Sequence, residues 1–404
     1  MNRRVLLSLL VPAAGGGYPL DGYARTHIRR LDAYRQSMKL PPGAYLNTDQ
    51  IVLRLAGSHF DISPETPRDA GLQHAVEAIF ASRDPSYNLA LLDISHPAQP
   101  AYAALKADEK RIPGSVGKIL VAMGIFGGLA RAFPNDTRAR ERILRETIVT
   151  ADSFVHRDSK TVPFCEPGQS RIVNRRLEIG DQFNLYEWLD HMLSQSSNAA
   201  ASMVWKQSML LYQFGSRYPV PAAQADAFFR ETPKKQLAEL SLECNESALR
   251  ASGINTANLR IGTFFTSNAA QAVPGTASYA SPNELLRWLV KLEQGKLVDA
   301  WSSLELKRLL YFARPRYRYA SSPALDKAAV YFKSGSLFEC VPEPGFQCVQ
   351  YRGNKTNLMH SVAIVESGAK VYLVALMSNV LRLNSAVEHQ TIATLIERMI
   401  QARR

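Results

Sequence analysis

Several features that commonly announce a function are scarce or missing in this chain. Its 404 residues include only 4 cysteines. No two of these form a Cys-x-x-Cys pair and none has a closely spaced histidine partner, so no zinc site, other metal or cofactor is expected. The longest near-apolar stretch, Ile119 to Ala130, is about twelve residues where a spanning helix needs roughly twenty, so a polytopic membrane protein is excluded and no integral membrane span is expected. There is no glycine-rich phosphate loop, zinc-finger spacing, aromatic RNA-binding signature, internal repeat or low-complexity tract. Acid is the scarcer charge: 36 Asp and Glu stand against 48 Lys and Arg, a net +12. From Ser247 to Pro282 there is no acidic residue at all.

What remains is a globular composition, 46% hydrophobic and 21% charged, with length enough for two or three domains of roughly 100–200 residues. The surplus positive charge leaves an anionic partner open: nucleic acid, an acidic surface or a carboxylate substrate. Part of it lies in the first sixty residues (Arg3, Arg4, Arg25, Arg29, Arg30, Arg35, Lys39, Arg54). A second patch interleaves aromatics: Tyr311, Phe312, Arg314, Arg316, Tyr317, Arg318 and Tyr319. Such a pattern can stack on single-stranded nucleic acid. With no ordered nucleic-acid motif beside them, both patches read first as solvated faces, and no nucleic-acid partner is expected.

Arg3 and Arg4 precede an apolar stretch, Val5 to Val11, then Pro12-Ala13-Ala14 and three glycines, a pattern resembling a secretory signal over residues 1–17. It predicts a periplasmic or secreted protein. No cysteine follows it, so a lipoprotein anchor is not expected. Cys340 and Cys348 flank a Pro/Gly-rich turn and could meet in a disulfide, which an oxidising compartment would favour. Reduced, buried cysteines are the plain alternative, and the sequence does not choose a pairing among Cys165, Cys244, Cys340 and Cys348.

Hydrophobic periodicity predicts a polar helical stretch over about 22–38, a helix over Ala70–Ser82 and strands over Tyr87–Ile94 and Ala101–Lys106. The middle of the chain is mostly helical: Ser115–Arg131 is apolar nearly all round, Asn184 caps Leu185–Leu193, and Ser281-Pro282-Asn283 opens a helix to Gln294. Thr263–Ala280 reads as irregular. Strands return at Ala328–Lys333, Leu358–Glu366 and Lys370–Ser378, and a helix over about Ser385–Ala402 closes the chain. Strands at both ends around a helical insert predict an α/β domain (70–114 and 311–404) interrupted by an all-α one (115–310), after a basic N-terminal extension (18–69).

Three short motifs fall in order along this frame. Ser115-Val116-Gly117-Lys118 opens the apolar helix, so Ser115 and Lys118 lie one turn apart on one face. A serine hydroxyl is a weak nucleophile at neutral pH, and a lysine of depressed pKa can serve as its base. Ser196-Ser197-Asn198 ends the Leu185–Gln195 helical run, and Lys333-Ser334-Gly335 interrupts an apolar strand. Singly these read as two caps and an edge charge; in this order and in these elements they make one signal.

Together the motifs resemble those of the serine β-lactamase and penicillin-binding protein superfamily, nearest to class A β-lactamases, over about 70–404. The Leu177–Leu185 lead-in to the second motif is similar as well. The resemblance implies an antiparallel sheet flanked by helices with an inserted helical domain, and a serine hydrolase that takes a carboxylate-bearing substrate. It implies Ser115 as acylated nucleophile, Lys118 as its base, Ser196 as proton relay, and Asn198 as holder of the substrate amide. Lys333 would act electrostatically on Ser196 and the substrate carboxylate, Ser334 would donate to that carboxylate, and the N–H groups of Ser115 and Ser336 would form the oxyanion hole beside Gly335. Ser197 replaces the usual aspartate and Ser334 the usual threonine. The family's deacylating glutamate has no counterpart in the acid-free 247–282 stretch, which implies slow deacylation unless Glu243 or Glu246 folds nearby. Arg352 and Lys355 are candidates for a further carboxylate-binding cation. The readings compatible with this pattern are a slow β-lactamase, a D,D-peptidase-like cell-wall enzyme, an esterase, or a non-catalytic envelope-binding protein on the same scaffold.

Overall fold

The computed structural model describes residues 21–37, 40–166 and 168–403, so the signal-like segment 1–17 lies outside the described residues. Five strands form an antiparallel sheet: β1 (Asn88–Asp93), β2 (Ala101–Leu105), β3 (Ala329–Glu339), β4 (Thr356–Ser367) and β5 (Lys370–Asn379), in the order β2-β1-β5-β4-β3. Both faces are covered. Leu89 and Leu91 of β1 and Val330 and Phe332 of β3 join one apolar cluster, while Ala90, Leu92 and Tyr331 join the other. This is the two-residue period of a strand. Lys333 has the parity of Tyr331 and so faces the second cluster, toward the helical part.

The outer face is covered by α3 (Ala70–Phe80) and the C-terminal helix, which follow α1 (Gly22–Thr26) and α2 (Arg29–Ser37) in the series. The expected helical stretch over 22–38 is thus two helices, parted at His27 with φ 56°. Asp69 caps α3, its carboxylate accepting from the Leu72 amide at 2.7 Å. The C-terminal helix spans Ala386–Ala402 and buries Ile392, Ile396 and Ile400.

The helical part centres on α4 (Lys118–Ala132), α5 (Leu185–Leu193) and α6 (Asn198–Phe214). The segment Gly114–Ala132 is long and apolar enough to cross a membrane, but it packs inside the protein as a core helix. Its first turn, Gly114–Gly117, is 3-10 rather than α, a local departure from the expected single helix. Helices α7 (Pro282–Glu293) and α8 (Ala300–Phe312), which the sequence groups with the helical insert, contribute to the same apolar cluster as the inner face of the sheet. Thr263–Ala280 is not wholly irregular: it holds a short helix, Ser267–Ala272, and Tyr279–Ala280 pairs with Leu259–Arg260. Strand β3 runs past Lys333 to Glu339, and Cys340 and Cys348 beyond it are joined in a disulfide, while Cys165 and Cys244 are free and buried.

The N-terminal segment is bound into this body by its charges. Arg29 pairs with Glu187 at 3.0 Å, Arg25 with Glu305 at 2.8 Å, and Arg30 with Asp190, that last pair wholly buried. Arg54 reaches Glu366, and Asp61 accepts from Arg287 and Lys291, each at 2.8 Å. These arginines are therefore not a free basic face. The aromatic-basic patch is likewise largely internal: Tyr311, Phe312, Arg314 and Tyr319 are buried, and Arg316 donates to the carbonyls of Leu325 and Ala328.

Candidate active site

The three motifs meet where the 114–117 turn, the α5–α6 junction and β3 converge. In a 3-10 turn residues i and i+3 eclipse, which sets Ser115 beneath Lys118: the lysine Nζ lies 3.1 Å from Ser115 Oγ. Lys118 also donates to the Ser196 carbonyl at 2.6 Å and to Asn198 Oδ1 at 2.7 Å, and stands 3.5 Å from Ser196 Oγ. From the other side Lys333 Nζ donates to Ser196 Oγ at 2.9 Å and to its neighbour's carbonyl, Ser334 O, at 2.8 Å. Ser196 thus lies between two lysines. It is held at φ 59°, a left-handed conformation that non-glycine residues seldom adopt and that here turns its hydroxyl and carbonyl toward the lysines.

Gly335 and Gly114 allow the close approach of strand and turn. A Cβ on Gly335 would lie 2.9 Å from Pro113 O and 3.0 Å from the Ser115 amide nitrogen. Gly114 has φ +53° and backs onto Ser336, where a Cβ would lie 3.3 Å from the carbonyl oxygen. The N–H-bearing backbone of Ser115 and that of Ser336 are therefore neighbours, as an oxyanion-binding pair requires.

Burial sets the electrostatics. Lys118 is completely buried, and the loss of hydration pulls its pKa down to about 7; Asp158 opposes the shift and Lys160 adds to it. Lys333 is pushed well below its usual value, by burial first and then by Lys118, Arg318 and Lys160. The Phe265 ring, 4.9 Å from Lys118 Nζ, completes the dry surroundings of that amine.

These groups border a cavity of about 700 Å³. Ser115, Ser196, Asn198, Ser334, Gly335 and Ser336 line it directly, and Lys118 and Lys333 lie just behind. Its described lining contains two cations, Lys160 and Arg318, and no carboxylate. Thr263, Phe264 and Phe265 supply the wall where the acid-free stretch passes. Glu243 and Glu246 do not reach the cavity: both bind Arg250, and Glu246 also binds Arg260. Nor do Arg352 and Lys355. The first donates to the Arg382 carbonyl at 3.2 Å, and the second pairs with Glu339 at 3.1 Å on the surface.

The cation that the sequence reading overlooked at this place is Arg318, whose Nη1 donates to Gly335 O at 2.8 Å beneath Tyr351. It was visible only as one member of the aromatic-basic patch. Asp158, Lys160 and Phe265 carried no sequence signal of their own. Among the described residues, no group of three or more His, Cys, Asp or Glu side chains is arranged to hold a metal ion.

The chain matches the Beta-lactamase enzyme family over residues 71–400. Among solved structures it resembles PBP-A, at 14% identity and a TM-score of 0.51, covering 83% of this chain and 99% of that one. A PBP-A variant solved as an acyl-enzyme complex with penicillin G aligns at 13% identity and a TM-score of 0.50, over 85% and 100% of the two chains. A β-lactamase from Sphaerobacter thermophilus aligns at 14% identity and a TM-score of 0.51, over 80% and 94%. No curated protein matches the sequence. The fold is that of the serine β-lactamases and penicillin-binding proteins, and the chain belongs to the β-lactamase enzyme family.

Proposed function

We propose that the protein is a serine acyl-transfer enzyme, acylated at Ser115 by amides or esters bearing a nearby carboxylate, β-lactams among them, and slow to release the acyl group. The observation that carries this reading is the Ser115–Lys118 pair: 3.1 Å apart, with the amine buried and its pKa near 7, beside a cavity whose described lining has no acid.

At neutral pH a large fraction of Lys118 is uncharged and takes the Ser115 proton as Oγ attacks the carbonyl carbon. The resulting oxyanion accepts hydrogen bonds from the Ser115 and Ser336 amides. The C–N or C–O bond then breaks, and the leaving atom takes the Ser196 hydroxyl proton. Lys118 returns its proton to Ser196. Asn198 holds the substrate amide, and Arg318, Ser334 and the charge of Lys333 hold the carboxylate. Hydrolysis of the ester at Ser115 needs a base for water, and the described lining of this cavity offers no carboxylate to serve as one. That composition favours a D,D-peptidase-like or slow β-lactamase activity over rapid β-lactam turnover. PBP-A, with a similar fold, forms a penicillin G acyl-enzyme in variant form. A periplasmic or secreted location fits the Cys340–Cys348 disulfide.

Mass spectrometry after mixing with a labelled penicillin tests the reading. A long-lived adduct on Ser115, absent in Ser115→Ala, is expected; rapid turnover would refute the slow-release step, and no adduct would refute acylation. A chromogenic ester with the same control tests the esterase alternative. An envelope-binding role without catalysis requires polymer binding that Ser115→Ala leaves intact and no adduct in the wild type.

A further inference from the structure

We propose that Asp158, from outside the three motifs, does the work of the aspartate that Ser197 displaces: it anchors the Ser196–Asn198 turn and supplies the negative charge facing Lys118. The proposal rests on the acyl-transfer reading above for its catalytic consequence, and on geometry alone for its structural part.

The turn needs an anchor. It holds Ser196 at a positive φ while keeping both the Ser196 carbonyl and Asn198 Oδ1 on Lys118. A serine at 197 can cap α6, and Ser197 Oγ does accept from the Ala200 amide at 3.0 Å. It brings no charge to a seventeen-residue helix whose N-terminus favours an anion. The anion comes from the loop ahead of the short strand Val162–Phe164. Asp158 Oδ2 accepts from Ser197 Oγ at 2.7 Å and from the Ala199 amide at 2.9 Å, and Oδ1 accepts from the Lys160 amide at 3.0 Å. The carboxylate is buried and accepts these three hydrogen bonds, and it makes no ion pair among the described residues. Its field is therefore not cancelled by a contacting cation.

Lys118 lies on the far side of the same turn. The charged groups acting on it are Asp158 and Lys160 from one loop and Lys333 from β3, with Arg318 beyond Lys333. The remaining neighbours, Ser115, Ser196, Asn198 and Phe265, are neutral. Asp158 is the one anion in this set, and it opposes the effects of burial and of Lys160.

The test separates charge from scaffold. Asp158→Asn keeps the shape and removes the charge; Asp158→Ala with Ser197→Asp moves the charge back into the motif. Two readouts are taken on the full chain: the titration of Lys118 by NMR of ¹³Cε-labelled lysine, assigned with Lys118→Arg, and the pH profile of acylation by a penicillin. Asp158→Asn is expected to move the Lys118 titration and the acid limb of acylation to lower pH, and to slow acylation about 10- to 100-fold, as loss of a charged hydrogen-bond anchor does. The double variant is expected to return both toward the wild type. Should Asp158→Ala alone not fold, recovery of the fold and of the Lys118 titration in the double variant counts in favour. Unchanged titration and rate in folded Asp158→Asn, or no recovery in the double variant, overturns the proposal. If the wild type forms no adduct at all, the acyl-transfer reading fails, and the Lys118 titration still decides the place of Asp158.

Discussion

A Cβ added to Gly335 would stand 2.8 Å from the amide nitrogen of Val116, so the third motif touches the first through backbone with no room for a side chain. The clash is with backbone atoms, which cannot swing aside as a flexible side chain would. Gly335→Ala is therefore expected to push β3 off the 114–117 turn and pull Ser336 away from Ser115. Losing one oxyanion donor typically costs about 10²–10³ in rate. Stopped-flow acylation of Gly335→Ala, with a circular dichroism check of the fold, measures it; a rate within a few-fold of the wild type would contradict the assigned oxyanion pair.

Acylation should rise with pH along a limb centred near 7, because the reactive form of Lys118 is the neutral one and its pKa lies at about 7. Phe265→Glu sharpens the point. A carboxylate where the ring now lies 4.9 Å from Nζ would favour the ammonium and move the limb upward by about a unit or more. A pH–rate profile that is flat from 5 to 9 would remove Lys118 from the role of base.

Arg318 is expected to govern binding more than chemistry. Arg318→Leu should raise KM for carboxylate-bearing substrates about tenfold or more, in line with loss of a charged hydrogen bond, and leave an uncharged ester nearly unaffected. Equal losses on both substrates would instead assign Arg318 to holding Gly335 in place through its 2.8 Å bond to that carbonyl.

Stability should fall on acidification below about pH 6.5, the ordinary histidine value. His191, His360 and His389 are wholly buried, and burial holds all three below that value, His360 at about 4. Neutral in the fold and protonated when unfolded, they contribute stability above pH 6.5 that is lost as pH drops through the folded values. The slope approaches about 1.4 kcal/mol per pH unit for each. Thermal melts at pH 7.5, 6 and 5 check this, and His389→Gln should flatten the curve; a melting temperature constant over that range would refute it.

Much of this was legible in the sequence because the signals were local. Asn184 and Ser281 cap the helices they were expected to cap, accepting from the amides of Glu187 and Glu284. The apolar runs over Tyr87–Ile94 and Ala328–Lys333 mark the strands β1 and β3, while the face each residue takes, Lys333 included, is set only once the sheet is packed. Motif order alone groups Ser115, Lys118, Ser196, Asn198 and Lys333. What was not legible depends on contacts between distant segments. Asp158 reads as one more loop aspartate until Ser197 and Ala199 fold against it. Arg318 looked like surface charge because nothing in its neighbours along the chain says that the next strand turns it under Tyr351. Arg25, Arg29, Arg30 and Arg54 misled for the same reason, their partners lying more than a hundred residues away.

Those partners bear on where the protein can be cut. The family match begins at residue 71, but Glu187, Asp190 and Glu366 beyond it are buried and bound to arginines before it. Removing residues 1–69 would take the arginines from Glu187 and Asp190, whereas Glu366 keeps Lys307 at 2.7 Å, and a buried charge that loses its partner costs several kcal/mol. The unit recognisable by ancestry is thus smaller than the unit that folds. An expression clone trimmed to the homologous region should yield insoluble protein, whereas one begun just ahead of α1 should not.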